Sequence, residues 1–341
     1  MIQQKQRTRA TGRVTLADVA RLAGVSSMTV SRALRGKRAV DPQLVERIKL
    51  AVSALGYSPD PAARALASGQ SAHVAVLVPL LSSALFVDLL EAAQKTFRAA
   101  GYQSLIGITH YSADEEGLLL REHLQHRPAG ILVTGFDRAE ATRSLIANSK
   151  IPCVHVMEAG GRPDLYSVGF SQADAAASMT RHLLSQGRRR IVFAAAQLDP
   201  RTLQRLAGWR CKLEQAGVYD GTLAYLEAEP SSLALGGRML ERILRCIPNV
   251  DAIFFCNDDL AQGALLAALR LGIEVPKRVA IGGFNDLTGS DQMVPPLSTV
   301  RTPRSEIGKE AARMLLMLMN GQTPTHASLD LGFELVVRGS T

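Results

Sequence analysis

The sequence predicts an all-α helix-turn-helix headpiece followed by a larger α/β body with parallel sheets. Three observations carry that fold class. Two short amphipathic helices joined by a glycine occupy residues 15–34. From residue 72 onward, short apolar runs alternate with amphipathic helical stretches, the pattern of parallel strands covered on both faces. The chain has 341 residues and is 47% apolar, more than a single hydrophobic core serves.

The first helix opens at Thr15, a good N-cap, with Asp18 three residues on as its capping-box partner. Leu16, Val19, Ala20 and Ala23 form its apolar stripe, and Gly24 supplies the stop. Ser26 caps the second helix, 27–34, whose apolar positions are Val30, Ala33 and Leu34. Asp41-Pro42 opens a third, with Leu44, Val45, Ile48, Val52 and Leu55 on one face. In the body, strands are expected at 74–78, 104–108, 130–134, 154–157, 191–194, 252–255 and 279–283. Helices such as 85–100, 173–186, 201–216 and 260–271 lie between them.

Charge is distributed unevenly. Residues 1–70 hold twelve Lys/Arg against four Asp/Glu, whereas the remainder is balanced, so the entire net +8 lies in the headpiece. A positive module on a neutral body suits a polyanion partner, because each neutralised phosphate releases counterions. Other classes are disfavoured. The longest apolar stretch, 74–81, has eight residues and contains Pro79, far below a membrane span. The basic N-terminus lacks a signal peptide's apolar segment, so a cytoplasmic location is expected. Cys153, Cys211, Cys246 and Cys256 form no C-x-x-C pair, which argues against a disulfide framework or structural zinc. Dinucleotide and NTP fingerprints are absent, as are catalytic motifs, so neither enzyme activity nor a cofactor is expected. His123 and His126 share a helix without a third metal ligand, and Arg188-Arg189-Arg190 reads as a surface turn before a strand.

The run Leu16-Ala17-Asp18-Val19-Ala20-Arg21-Leu22-Ala23-Gly24-Val25-Ser26-Ser27-Met28-Thr29-Val30-Ser31-Arg32-Ala33-Leu34 resembles the DNA-binding headpiece of LacI-family transcriptional repressors. Leu55-Gly56-Tyr57-Ser58-Pro59 and Ala63-Arg64-Ala65-Leu66-Ala67 extend the match. The resemblance implies that Ser27, Met28 and Arg32 face base edges, with Arg32 suited to a guanine. Thr29 and Ser31 would contact phosphates, and Thr15, Ser26 and Arg64 are further DNA-binding positions. Leu66 would be the wedge of a hinge helix at 60–68, where Asp60-Pro61 departs from the usual Asn-Arg.

For the body, the resemblance implies a two-lobed, type I periplasmic-binding-protein-like effector domain. The expected divisions are a DNA-binding domain at 1–58, hinge and linker at 59–71, and effector-binding and dimerisation domain at 72–341. Lobe one would take about 72–167 and 298–326, lobe two about 168–297 and 327–341. Ligand would sit in the cleft at the carboxyl ends of the strands. Arg205, four residues before Trp209, matches the family's effector-binding arginine, with Arg201 one turn earlier. Asn257 falls in the effector-binding Asn-Asp but could equally cap a helix. Asn285 stands where most relatives carry Asp, Phe86 and Phe170 match apolar walls, and Glu158 lies one position beyond the common acid. Several stretches, among them Val168-Gly169-Phe170 and Thr302-Pro303-Arg304, look like the gluconate-type repressors. The expectation is thus a homodimeric repressor that binds double-stranded operator DNA and releases it for a sugar acid, gluconate or 2-ketogluconate. The alternatives are a neutral sugar or nucleoside effector, a corepressor, or a non-regulatory sugar-binding protein of this fold.

Overall fold

Thr15 starts the first helix as its sequence predicts. In the computed structural model, which describes residues 14–34, 40–58, 71–81, 84–160 and 164–341, its hydroxyl accepts from the Asp18 amide. The Asp18 carboxylate accepts from the Thr15 N–H at 2.9 Å, completing the box. Helix α1 (Leu16–Ala23) ends at Gly24, whose φ of +66° a side chain would resist. Helix α2 (Ser27–Leu34) is capped by Ser26, whose hydroxyl accepts from the Thr29 N–H at 3.2 Å. Asp41 caps α3 (Pro42–Leu55) through the amides of Gln43 and Leu44. Val19, Ala20, Ala23, Val30, Ile48 and Ala51 form the core these helices share. Leu34, expected on the buried face of α2, is exposed instead, so a single turn's worth of apolar positions suffices there.

The chain divides into two compact units, 1–71 and 72–341. The second contains two six-stranded sheets. The first sheet comprises β1 (His73–Val78), β2 (Gln103–Ile108), β3 (Gly130–Thr134), β4 (Cys153–Val156), β5 (Tyr166–Gly169) and β11 (Ser328–Asp330), in the order β11-β5-β4-β3-β1-β2. The second comprises β6 (Ile191–Ala195), β7 (Ala224–Leu226), β8 (Ala252–Phe255), β9 (Ala280–Asn285), β10 (Ser298–Arg301) and β12 (Glu334–Val336), ordered β12-β10-β9-β8-β6-β7. Every pairing is parallel except β10 with β12. Helices α4 (Ala84–Ala99), α5 (Ala113–Gln125), α6 (Glu140–Ser149) and α11 (Arg304–Met319) belong with the first sheet. Helices α7 (Gln172–Ser185), α8 (Pro200–Gln215), α9 (Leu233–Cys246) and α10 (Asp258–Leu271) belong with the second.

The expected lobe boundaries need correction. Strand β10 pairs with β9, Ser298 opposite Gly282, so residues 298–301 belong to the second lobe. Strand β11 pairs with β5, Ser328 opposite Ser167, so 328–330 belong to the first. The crossings therefore fall at 170–171, 302–303 and 331–333, three to six residues later than the expected ones at 167, 297 and 328. Apolar pattern locates a strand but cannot say which sheet satisfies its backbone. Among the described residues, no helix is long and apolar enough to cross a membrane.

Candidate functional site

Two surfaces concern function, one in each unit. On α2, Ser27, Met28 and Arg32 all point outward, while Val30 is buried on the opposite side. Met28 is 65% exposed, and its side chain is free to meet a partner. Thr29 and Ser31 are half-buried, and the Thr29 hydroxyl lies 2.8 Å from that of Ser26. Thr15 and Ser26 are exposed and already serve as helix caps. Arg64, Leu66 and the hinge helix lie outside the described residues.

In the second unit, a cavity of about 500 Å³ opens between the carboxyl ends of both sheets. Its walls come from chain just past β1, β2, β4, β6 and β8 and from the last residue of β9. Of the expected effector residues, the structure brings Phe86, Arg201, Arg205, Asn257 and Asn285 to this cavity. Phe170 and Glu158 do not line it. Phe170 is buried against the Phe284 ring, 6.3 Å between centroids. Glu158 is held behind Arg201, 3.4 Å from its guanidinium, and accepts from Gln204 at 2.9 Å.

The two arginines of α8 sit in opposite electrostatic circumstances. Arg201 pairs with Asp199 at 3.0 Å, Asp137 at 3.3 Å and Glu158 at 3.4 Å. Burial works against its charge, but these three carboxylates outweigh that and raise its pKa. Arg205 is 5% exposed and, among the described residues, has no carboxylate partner. Its Nε donates to Gln172 at 2.8 Å and its Nη1 to the Cys256 carbonyl at 2.6 Å. The Phe284 ring lies 4.0 Å beneath the guanidinium carbon. Gln172 is anchored in turn by donating to the Met157 carbonyl, so the fork is fixed in one pose. Burial pushes the Arg205 pKa down.

Asn257 is the N-cap of α10, accepting from the Leu260 N–H at 3.1 Å, and it pairs with Ser231. Its side chain is therefore already engaged at the cavity wall. Asn285 is the reverse case. Its φ is 109°, and its side-chain oxygen is buried without a partner among the described residues. Its carbonyl accepts from Arg304, which also pairs with Asp88 of α4 at 2.9 Å. Sequence reasoning missed Tyr111, Met157, Gln197 and Asp259 as lining residues. Their one available signal was position, each lying just beyond a strand's carboxyl end. Tyr111 follows His110 in a run of two left-handed residues, and burial together with Asp199 pushes its hydroxyl pKa up to about 12.

A second cavity, about 520 Å³, lies on the first lobe beside Phe136, Cys153 and His155. Its buried charges are already matched, Arg138 donating twice to Glu116 at 3.0–3.1 Å. Arg188, Arg189 and Arg190 are tied to carbonyls, to Asp251 and to Asp220, as a structural turn. No group of three or more His, Cys, Asp or Glu among the described residues could hold a metal.

Residues 15–60 match the model for bacterial regulatory proteins of the lacI family, and residues 180–341 match the periplasmic binding protein-like domain. The HTH-type transcriptional regulator GntR of Pseudomonas aeruginosa is 52% identical over 334 residues, covering 98% of this chain and 97% of its own length. The chain belongs to the LacI family. A LacI-family member of this architecture is a DNA-binding transcriptional regulator governed by a small-molecule effector. Among solved structures, transcription regulator GntR from Chromobacterium violaceum is 47% identical with a TM-score of 0.77, covering 79% of this LacI-family chain and 98% of that one. The lac repressor dimer bound to operator and the anti-inducer ONPF is 25% identical with a TM-score of 0.87, covering 96% and 99%.

Proposed function

We propose that this LacI-family regulator is a homodimeric repressor of sugar-acid catabolism whose effector is gluconate or 2-ketogluconate. Each protomer's α2 reads half of a palindromic operator, with Arg32 in the major groove. A sugar acid in the interlobe cavity favours the conformation that leaves the operator. The observation that carries the ligand's charge is Arg205, a buried guanidinium on the cavity wall without a carboxylate among the described residues. Its neighbour Arg201 has three, so the shortage is local. Asn285, a neutral amide at the same cavity, adds no repulsion. The Asn285 side-chain oxygen without a partner suits a ligand hydroxyl.

Calorimetry on the full chain tests this reading. Gluconate or 2-ketogluconate binds, and glucose binds roughly ten- to a hundredfold more weakly, the worth of one charge-assisted hydrogen bond. Arg205→Met erases that preference and Asn285→Asp weakens acid binding. Glucose binding as tight as gluconate binding refutes the sugar-acid effector.

A further inference from the structure

Four strongly ionic side chains line the effector cavity: Asp199, Arg201, Arg205 and Asp259. Two of them neutralise each other. Asp199 accepts from the Arg201 guanidinium at 3.0 Å, from the Arg201 N–H at 3.0 Å and from the Thr202 hydroxyl at 2.9 Å, which occupies most of its acceptor capacity. Arg205 and Asp259 remain, one cation and one anion. Asp259 stands on the first turn of α10, half-buried, and among the described residues it has no hydrogen bond and no ion pair. Burial raises its pKa. Arg205 feels the Asp199 carboxylate only through space and forms no ion pair among the described residues. The cavity wall thus carries a cation and an anion that form no ion pair among the described residues. The hydroxyls nearest in sequence to this wall are occupied, Ser231 with Asn257 and Ser232 as the cap of α9.

We propose that Asp259 is a specificity-determining residue that accepts the hydroxyls of the ligand's polyol tail, and so admits sugar monoacids while rejecting diacids. The proposal rests on the sugar-acid reading, which places the ligand carboxylate at Arg205. A carboxylate only accepts, and its two oxygens can take adjacent hydroxyls, as a polyol offers. An aldaric acid carries a second carboxylate at the far end of the same carbon chain. That group would meet Asp259, two anions in one partly desolvated site. Exclusion by a like charge discriminates against a ligand that the Arg205 pole accepts equally well. Asn257 cannot do this, because its amide is neutral and already bonded to Ser231 and Leu260.

The test is calorimetry of the full chain with gluconate and with glucarate, its diacid counterpart. Wild type should bind glucarate about tenfold or more weakly than gluconate, as like-charge juxtaposition requires. Asp259→Asn should bring the two within about threefold, chiefly by improving glucarate, because the repulsion is gone while the shape is kept. Asp259→Ser provides a second neutral variant should the amide disturb the α10 terminus. Equal binding of both acids by wild type, or a ratio unchanged in both variants, overturns the assignment of Asp259. Failure of wild type to bind either acid overturns the sugar-acid reading and this inference with it.

Discussion

Arg201 and Arg205 lie one turn apart on α8, yet substitution should expose different roles. Removing Arg201 would leave Asp137, Asp199 and Glu158 without their common cation, two of them at 8–10% side-chain exposure. Arg201→Met should therefore cost about 3–5 kcal/mol in urea unfolding, the usual penalty for orphaning buried charge. Arg205→Met should cost much less stability, because its partners are a carbonyl, an amide and a ring. Equal losses would mean that Arg205 is a structural cation. A different residue governs acid tolerance. His155 is buried 2.8 Å from the Gly135 carbonyl, and burial, with Arg138 beside it, depresses its pKa to about 4. The unfolded chain takes up this proton first, so acidification from about pH 6.5 to 4 should erode stability by about 3 kcal/mol. His155→Gln should flatten that part of the curve. Asp258, raised by burial to about 6, takes up its proton in the folded state first and acts in the opposite direction, so the difference between variant and wild type isolates His155. An unchanged slope would exclude the histidine. Several cavity residues were legible in the sequence because they follow strands, as Arg205's neighbour Asn257 follows β8. Phe170 and Glu158, expected at the wall, lie just behind it in this structure, a distinction that sequence cannot make.

At the scale of elements, close approach of backbones matters more than propensity. Gly308 of α11 faces the Leu89 carbonyl of α4, and an added Cβ would fall inside that oxygen's van der Waals shell. Backbone cannot step aside as a side chain can. Gly308→Ala should lower stability by about 1–3 kcal/mol, read by thermal or urea unfolding, and should do so with the α2 surface untouched. A neutral result would show that the two helices can separate. The headpiece elements were legible almost in full, because Thr15, Gly24, Ser26 and Asp41 announce their own boundaries. Strands β5, β7, β10 and β11, three or four residues long, were not, being too short for alternation to register.

For the whole molecule, the division at residue 71 separates the positive charge from the neutral body. Deleting residues 1–71 should leave a folded protein that retains effector affinity and loses operator binding in a gel shift. Operator binding undiminished by the deletion would place DNA recognition elsewhere. The two sheets were foreseeable from strand-helix alternation, but the placement of β10 and β11 was not, because pairing partners rather than pattern assign them.

The three crossings restrict how the cavity can be entered. Two are two residues long and the third is three, all at one edge of the paired lobes. A two-residue tether reaches no further than about 7 Å, so the lobes cannot drift apart like the halves of a shell. Tilting about the line of tethers is a motion that such short links allow. Access for a solute is then an angle, and the far rim from the tethers opens first while the tethered side barely moves. A ligand long enough to touch both sides senses that tilt as a lever does, with its outer end travelling furthest.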